Sequence, residues 1–417
     1  MNLFLSIYRF NVKKTFYSFL LIILVLVTSP FLIRYLLINQ KIRLLNSIYF
    51  NFPGIITSKK LCPTYDSLLE KSLDNTYSVS IMNENGAIIS SYNDEILRIP
   101  ASNQKLFSSA YVLSKYKLDN TLKTTLFKNK NSYYLVGQGD PDLNYSDIVK
   151  LLSNVKSNKN INFNIAEIDS NLYWPNGWTD TDKLYSYGSP ITTLAIESNQ
   201  NEYDDIYTLK NFISNYLNNK FINSKIRINI TDTKKLSHLK DSNKIDQIES
   251  NPILSLLTLT NSESHNFTAE SLFKNASKTW NDNEYKNLKK WLKNKGLPVT
   301  NTYFEDASGL SRNNKITTKL VVLFLNKMKY SSDFNAYQST LSIIGVRGTL
   351  RKRFVNTELS GKFFGKTGTL SNVFSLSGFL YKNEKPIIIS IIQNSNNIDK
   401  EKAFKLLRDV YYLKPCN

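Results

Sequence analysis

Three short motifs, SNQK, SHN and KTG, follow one another along the chain, and each carries side chains that could take part in acyl transfer. They occupy Ser102–Lys105, Ser264–Asn266 and Lys366–Gly368. A serine hydroxyl becomes a useful nucleophile when a base accepts its proton, and lysine can do this if burial or a neighbouring cation lowers its pKa. The chain has only two histidines, His238 and His265, so a lysine base has little competition. The motifs therefore predict a serine acyl-transfer site whose base is a lysine.

The first motif supplies the nucleophile and its base. Ser102 and Lys105 are three residues apart, so on a helix their side chains share one face. The stretch from Gln104 to Lys115 has helical periodicity, which places Ser102 at or just inside a helix N-terminus. There its backbone N–H would point toward a developing oxyanion. We predict that Ser102 is the nucleophile and Lys105 the base.

In the second motif Ser264 and Asn266 flank His265, and alternation puts the two polar side chains on one side of an extended turn. Ser264 could relay a proton from Lys105 to a leaving amine, and Asn266 could hold Lys105 and a substrate amide. His265 should point away from this pair, and a catalytic histidine would need an acidic group to orient it. Taken alone, the motif is equally consistent with an ordinary polar helix cap.

The third motif places a cation beside hydroxyl groups. Lys366 could lower the pKa of Lys105 and, with Thr367 and Thr369, bind a substrate carboxylate. Gly368 would let the backbone of a ligand approach closely, and the Thr369 N–H would be a second oxyanion donor. We expect the motif just before an apolar strand, at a sheet edge that an extended peptide could join. A simple turn is the alternative interpretation.

The elements around the motifs predict an α/β fold with an insertion. Tyr77–Met82 and Ala87–Ser90 are typical of a hairpin, and Phe374–Leu380 and Ile387–Ile392 of a second strand pair, followed by an amphipathic helix over 398–412. Between them lie short strands and helices rich in Asn, Lys and Ser. We predict a catalytic domain over residues 61–120 and 249–417, split by an inserted accessory domain over 121–248.

The N-terminus contains an almost unbroken apolar run, Phe16 to Ile33, preceded by positive charges. At roughly 1.5 Å per residue this run is about long enough to cross a bilayer, and the positive charges hold its start in the cytoplasm. We predict a cytoplasmic tail over 1–14, a transmembrane anchor or signal over 15–38 and a linker over 39–60. An uncleaved anchor is favoured because no small-x-small site follows cleanly. The catalytic domain would then lie outside the cytoplasmic membrane.

The net charge and the two cysteines limit which partners and which cellular compartment we expect. The formal net charge of +19 suits a nucleic acid, an anionic membrane or an anionic polymer, although compositional drift explains it equally well. Without a compact Lys/Arg run or a zinc-finger spacing, we expect no nucleic-acid partner. Cys62 and Cys416 could form a disulfide in an oxidising compartment, the alternative being two unpaired thiols. We predict neither a metal nor a cofactor.

In their order, the motifs resemble those of the class C low-molecular-mass penicillin-binding proteins, which are D-alanyl-D-alanine carboxypeptidases. The resemblance extends from about Cys62 to the C-terminus. It rests on PASNQK at 100–105, GQGDP at 137–141, YGSP at 187–190, SHN at 264–266 with AE at 269–270, DASGLSR at 306–312, GVRGTL at 345–350 and KTGTL at 366–370.

The resemblance implies a serine β-lactamase-like transpeptidase domain, with a central antiparallel sheet flanked by helices. It implies an enzyme that forms an acyl-enzyme on the penultimate D-Ala of a muropeptide and releases the last D-Ala, with β-lactams acylating the same serine. Many such enzymes also cleave peptide crosslinks. The resemblance assigns the nucleophile to Ser102, the base to Lys105, the second element to Ser264 and Asn266, and the third to Lys366.

Two positions depart from the family pattern. His265 stands where an Asp is usual, and Arg347 stands where an acidic residue is usual. The insertion also looks shorter than in larger members, so these differences bear on crosslink cleavage and substrate preference. Two alternatives remain: a β-lactamase, which needs a dedicated deacylating carboxylate near Ser102, and a catalytically weak peptidoglycan-binding protein that retains the fold.

Overall fold

The computed structural model describes residues 62–156, 159–201, 205–280 and 285–413 of the chain. The predicted tail, anchor and linker over residues 1–60 lie outside the described residues, as does Cys416. Cys62 is buried immediately before the first helix, and its pairing with Cys416 stays a prediction. None of the helices within these ranges combines the length and the apolar character that a bilayer crossing requires.

The described residues form helices and strands, which are numbered here in chain order. The helices are α1 (Pro63–Ser72), α2 (Gln104–Leu113), α3 (Tyr145–Ser153), α4 (Asp180–Lys183), α5 (Ile206–Lys220), α6 (Ile253–Ser262), α7 (Asn266–Ser277), α8 (Tyr285–Asn294), α9 (Thr318–Lys329), α10 (Phe334–Ser339) and α11 (Lys400–Tyr412). The strands are β1 (Tyr77–Met82), β2 (Ile88–Tyr92), β3 (Lys123–Asn129), β4 (Ser132–Val136), β5 (Asn160–Glu167), β6 (Lys225–Asp232), β7 (Lys244–Glu249), β8 (Ser342–Ile343), β9 (Phe363–Leu370), β10 (Val373–Tyr381) and β11 (Pro386–Asn394).

The first sheet joins strands from distant parts of the chain. Its order is β2-β1-β11-β10-β9-β8, and its strand pairs are antiparallel. Along β11, Ile388 and Ile392 pack into the core on one face, whereas Ile389 and Ile391 pack into the core on the other. This is the alternation that a pleated strand imposes, and apolar residues from Pro386 to Ile392, interrupted only by Ser390, keep this part of the strand buried on both faces. The predicted antiparallel sheet flanked by helices is confirmed.

A second sheet draws its strands from residues 123–249 and has the order β6-β5-β4-β3-β7. Strands β4, β5 and β6 run parallel, so a crossover must link each pair, and α3 and α5 lie in those crossovers. These helices bury Leu151 and Ile213 against strand residues such as Ile161 and Phe163. Along the chain, the turn that holds Ser102 lies after β2 of the first sheet and before β3 of the second.

Arg347, one of the two departures from the family pattern, has a structural role in the described fold. Its guanidinium Nη2 donates to Ser339 O at 2.5 Å and to Leu341 O at 2.7 Å. Ser339 is the last residue of α10, and a cation stabilises carbonyl groups at a helix C-terminus. An acidic side chain at position 347 could not make these bonds, because carbonyl oxygens only accept.

Candidate active site

Ser102 lies in a single 3₁₀ turn, Ala101–Asn103, that leads directly into α2. Ala101 has a φ of 47°, a left-handed conformation that costs a residue with a Cβ roughly 1–2 kcal/mol. Gly309 packs against this turn so closely that a Cβ there would lie 1.9 Å from Ala101 O. The backbone at Gly309 therefore packs directly on the serine turn, and Ser102 lies at the helix N-terminus as predicted.

Lys105 is fully buried, and its ammonium nitrogen contacts three oxygen atoms. Nζ lies 2.6 Å from Asn266 Oδ1, 2.7 Å from Ser308 O and 3.1 Å from Ser102 Oγ. The amide and carbonyl oxygens can only accept, so a neutral lysine would give both of its protons to them. Its lone pair would then face the Ser102 hydroxyl, which is the arrangement a general base needs.

Burial lowers the pKa of Lys105 to about 7, while the negative charges of Asp306 and Glu270 act in the opposite direction. A base with this pKa is neutral in about half of the molecules at neutral pH, whereas an ordinary lysine is almost wholly charged. Lysine can thus accept the Ser102 proton only because the protein interior disfavours its charge.

Asp306 organises the loop that presents Ser308 O to Lys105. Its carboxylate accepts from Gly309 N at 2.7 Å, from Ser311 N at 2.6 Å and from Asn314 Nδ2 at 2.7 Å. Such bonds satisfy the lone pairs of a buried carboxylate and fix the turn of the loop. Asp306 lies in the DASGLSR motif that contributes to the family resemblance, but the sequence did not indicate that Asp306 positions this loop.

Glu270, on α7, supports the same loop from the other side. Its Oε1 accepts from Ser308 N at 2.8 Å and Ala307 N at 3.0 Å, and Tyr285 OH donates to Oε2 at 3.0 Å. Burial, reinforced by the charge of Asp306, raises the pKa of Glu270 to about 7. This carboxyl group is fully buried and holds the loop by backbone amides, so its role is structural.

The second motif divides its work among its three residues. Ser264 has a φ of 67° and lines the cleft beside Ser102, whereas Asn266 begins α7. The Asn266 amide donates to Tyr187 O at 2.9 Å while its oxygen accepts from Lys105, as the sequence predicted. The proton relay through Ser264 stays a prediction.

His265 points away from the serine and caps the helix. Its ring Nδ1 lies 3.4 Å from Thr268 N and 2.7 Å from Thr268 Oγ1. The helix-cap interpretation therefore applies to His265, whereas its neighbours face the cleft. Burial and then the charge of Lys105 lower the pKa of His265 to about 4, so the ring is neutral at physiological pH.

Lys366 is fully buried within β9, and its Nζ donates to Thr367 O at 2.9 Å. Burial lowers its pKa well below the usual range, the charge of Lys105 lowers it further, and Glu263 opposes both. The motif lies before the apolar strand β10, as expected, but it is itself part of a strand, because β9 begins three residues earlier and pairs Lys366 with Ser377 of β10. The turn interpretation is wrong for the same reason.

The edge of β9 is available where the motif lies. In the described part of the chain, β8 pairs only with Phe364 and Gly365, and the register ends before Lys366. Thr367 and Thr369 line the cleft with Ser102. The described geometry thus has room for an extended ligand beside Thr367 and Thr369, as the sequence led us to expect.

Gly368 is required for a reason that the sequence did not indicate. A Cβ at this position would lie 2.7 Å from Ser102 N and 2.9 Å from Pro100 O. The close approach is therefore made by the backbone of the serine turn rather than by a ligand. The Ser375 hydroxyl donates to Pro100 O at 2.7 Å and holds the turn against the sheet.

A cleft of about 900 Å³ collects these groups, and it contains a charge pair that sequence reasoning left out. The Arg312 guanidinium binds both carboxylate oxygens of Asp182, with an Nη2 to Oδ1 distance of 3.2 Å. Arg312 also lies in the DASGLSR motif, and that motif is the feature of the sequence from which a role for Arg312 could have been predicted. The cleft lining comprises Ser102, Thr179, Thr181, Asp182, Tyr187, Ser264, Asn266, Gly309, Leu310, Arg312, Thr349, Thr367, Thr369, Leu370, Ser371 and Asn372.

A serine at a helix N-terminus, a buried lysine facing it and a second lysine in the neighbouring strand define a class of active-site-serine proteins. Comparison with known families gives the particular one. A family model, that of the D-Ala-D-Ala carboxypeptidase 3 (S13) family, matches residues 66–208 and 202–408. The chain belongs to this family.

Curated relatives match over shorter stretches. The chain is 33% identical over 116 residues to penicillin-sensitive carboxypeptidase A of Dictyostelium discoideum, covering 26% of this chain and 22% of that protein. It is 29% identical over 170 residues to the D-alanyl-D-alanine carboxypeptidase DacB of Haemophilus influenzae, covering 37% of this chain and 35% of that protein. The matches thus span about a fifth to a third of the relatives' lengths.

Solved structures confirm the fold. Penicillin binding protein 4 of Haemophilus influenzae superposes with a TM-score of 0.66 at 20% identity, covering 83% of this chain and 98% of that one. A predatory endopeptidase of Bdellovibrio bacteriovorus gives a TM-score of 0.52 at 16% identity, covering 80% and 90%.

Proposed function

We propose that the chain is a serine-type D-Ala-D-Ala carboxypeptidase that acts on the stem peptides of peptidoglycan. The observation that carries this proposal is the environment of Lys105. Two obligatory acceptors, Asn266 Oδ1 and Ser308 O, take two of its protons and turn the remaining position of Nζ toward Ser102 Oγ. A lysine that is buried in this way can act as a base, whereas an ordinary solvent-exposed lysine is charged and cannot.

In the proposed reaction, Ser102 Oγ attacks the carbonyl carbon of the penultimate D-Ala and its proton passes to Lys105. Ser102 N and Thr369 N would donate to the oxyanion. Collapse of the tetrahedral intermediate breaks the peptide bond, and the departing amine of the last D-Ala receives a proton by way of Ser264. Water then attacks the acyl-enzyme, releases the shortened peptide and restores the Ser102 hydroxyl.

The carboxylate of the leaving D-Ala is placed by the third motif in this proposal. Thr367 and Thr369 present hydroxyl groups to the cleft, and buried Lys366 supplies the nearby positive charge. A β-lactam carries an acyl group and a carboxylate that match the same positions. We propose that it acylates Ser102, in line with the name of the penicillin-sensitive relative and the solved β-lactam complex of Haemophilus penicillin binding protein 4.

Cleavage of peptide crosslinks is a second proposed activity. It draws on the predatory endopeptidase whose fold is similar, and the reacting groups would be the same.

We further propose a single-pass membrane protein whose catalytic part lies outside the cytoplasmic membrane. The apolar run from Phe16 to Ile33, with positive charges before it, supports this location.

Labelling with a fluorescent penicillin tests the proposal, with a Ser102→Ala variant as the matched control. We expect one covalent adduct on the Ser102 peptide by mass spectrometry, and free D-Ala from a pentapeptide. Folded protein that no penicillin labels would overturn the proposal. Rapid turnover of the bound β-lactam would indicate a β-lactamase instead. Muropeptide binding without D-Ala release, unchanged in Ser102→Ala, would indicate a binding protein.

The β-lactamase alternative needs a carboxylate that activates water beside the acyl-enzyme. Among the residues that line the described cleft, Asp182 is the acidic one, and both of its oxygens are bound by Arg312. Glu270 is buried behind Lys105 and bonded to backbone amides. This arrangement favours the carboxypeptidase.

A further inference from the structure

One stretch of chain begins at the cleft and is held at both ends by side chains of the second motif. We call residues 187–200 the wall segment. At its start, Tyr187 lines the cleft, and its carbonyl oxygen accepts from the Asn266 amide at 2.9 Å. At its end, the Gln200 side-chain amide lies 2.5 Å from Nε2 of His265. Two adjacent residues of the motif thus hold the two ends.

The middle of the wall segment is hydrogen-bonded to the end of a strand in the second sheet. Thr193 N donates to the Glu167 carboxylate at 2.9 Å, and Gly139 N donates to Thr193 O at 2.7 Å. Glu167 is the last residue of β5, and it is buried. The wall segment therefore connects the second sheet with the turn that carries Asn266.

The end of the wall segment has a strained backbone, which Ser198 Oγ, donating to Pro141 O, and Asn199 Nδ2, donating to Thr192 Oγ1, already help to hold. Glu197, Ser198 and Asn199 have consecutive φ values of 45°, 60° and 53°. Residues with a Cβ adopt this left-handed region at a cost in free energy, and a run of three persists only where the surroundings fix it. Gln200 follows immediately, so its contact with His265 acts where the backbone is most strained.

An imidazole can do what the Asp expected at this position could not. Nδ1 of His265 accepts from Thr268 N–H and caps α7, so the proton of the neutral ring is on Nε2. The structure places the Gln200 amide nitrogen against this ring nitrogen, and an amide nitrogen donates but does not accept. The bond therefore needs the Gln200 amide turned about its last side-chain torsion, so that its oxygen accepts from Nε2–H. An Asp or Asn side chain would cap the helix with one atom, but it is too short to reach the wall segment as well.

We propose that His265 is a positioning residue that pins the wall segment through Gln200 and so sets how the cleft holds a peptide. An extended peptide substrate would contact Tyr187 at the start of the wall segment, whereas a small β-lactam would mainly contact the groups around Ser102. Loss of the pin should therefore raise KM for the peptide and leave acylation by penicillin close to the wild-type rate. The kinetic part of this inference rests on the proposed function.

Three variants of the full chain separate the two contacts of His265. We call its contact with Gln200 the pin and its contact with Thr268 the helix cap. Gln200→Ala removes the pin and leaves the helix cap intact, and His265→Asn keeps a capping side chain but cannot reach Gln200. Gln200→Glu retains an acceptor oxygen for Nε2–H and should restore wild-type behaviour. For the first two we expect KM for a D-Ala-D-Ala pentapeptide to rise about tenfold, with kcat and penicillin acylation changed by less than about threefold.

Hydrogen exchange gives a readout that does not depend on catalysis. In Gln200→Ala, amides of the wall segment should exchange at least about tenfold faster than in the wild type, and in Gln200→Glu at the wild-type rate. Unchanged exchange in Gln200→Ala would overturn the inference, as would an equal loss of peptide hydrolysis and penicillin acylation. If the wild type itself neither hydrolyses the peptide nor binds penicillin, the proposed function fails, and exchange still decides the role of His265. Should His265→Asn fail to fold, Gln200→Ala carries the test alone.

Discussion

An Asn266→Asp substitution would test the role of Lys105 directly, because it places a negative charge beside the base. It also removes the amide donor to Tyr187 O, a loss that the Asn266→Ala control shares. The amide oxygen of Asn266 lies 2.6 Å from Lys105 Nζ, and a carboxylate oxygen can occupy the same place. A negative charge at this position favours the charged form of the lysine. The substitution should therefore raise the pKa of Lys105 and leave the base protonated, hence inactive, at neutral pH.

The expected size of the effect follows from the distance. Two unit charges about 4 Å apart at an effective dielectric constant of about 20 attract by about 4 kcal/mol, which corresponds to about 3 pKa units. The cost of burying the new carboxylate reduces this, and we take about 2 units as the lower bound. Starting from about 7, the pKa of Lys105 would reach about 9 to 10, so its neutral fraction at pH 7 would fall about 50- to 500-fold.

The assay is the rate of Ser102 acylation by a fluorescent penicillin, measured by stopped flow from about pH 6 to about pH 10. In the wild type the rate should rise with pH through about 7, and in Asn266→Asp the same rise should occur about 2 to 3 pH units higher. Asn266→Ala is the matched control, because it loses the hydrogen bonds without adding charge and should stay slow at every pH. A rise that remains near pH 7 in Asn266→Asp would refute a neutral Lys105 as the base.

Three further predictions concern packing, the charge pair and pH. Gly368→Ala should slow acylation of Ser102 about 100-fold, because its Cβ would lie 2.7 Å from Ser102 N; denaturant unfolding would check that the fold survives. Asp182→Asn should lower the free energy of unfolding by about 1 to 3 kcal/mol, since it removes the charge and one of the two oxygens that the partly exposed Arg312 binds, and adding Arg312→Met should recover part of that loss. His265 has a folded pKa of about 4, below its unfolded value of 6.5, so stability should fall by at most about 3 kcal/mol as pH drops through that interval; urea titrations of the wild type and His265→Asn at both ends measure it.

Local patterns were sufficient to predict many of the elements. The helix expected over Gln104 to Lys115 is observed as Gln104–Leu113, and the strand expected over Ile387 to Ile392 is observed as Pro386–Asn394. Both elements are rich in apolar residues, and they are buried on all sides rather than on one face. Strand β5 was missed, although Ile161, Phe163 and Ile165 alternate and are buried. The surrounding Asn and Lys residues obscured that signal.

The motifs were visible in the sequence, but the contacts that make them a site were not. Asn266 and Lys105 are 161 positions apart, and no local pattern specifies that they touch. The third partner of Lys105 is Ser308 O, a backbone carbonyl, and every residue type carries one. Gly368 likewise could be recognised as special, but its neighbour, the serine turn, follows only from the packing of two distant segments. The catalytic roles assigned to these residues stay predictions.

The two buried lysines explain how one site can hold both a base and a cation. Burial lowers the pKa of each, so the interior disfavours a proton on both at once, and the charge of Lys105 further lowers the pKa of Lys366. A carboxylate bound beside Thr367 and Thr369 would favour the charged form of Lys366. That charge in turn opposes a proton on Lys105 and leaves it free to accept one from Ser102. We therefore expect that binding of the substrate carboxylate and activation of the serine are coupled through the repulsion between the two lysines.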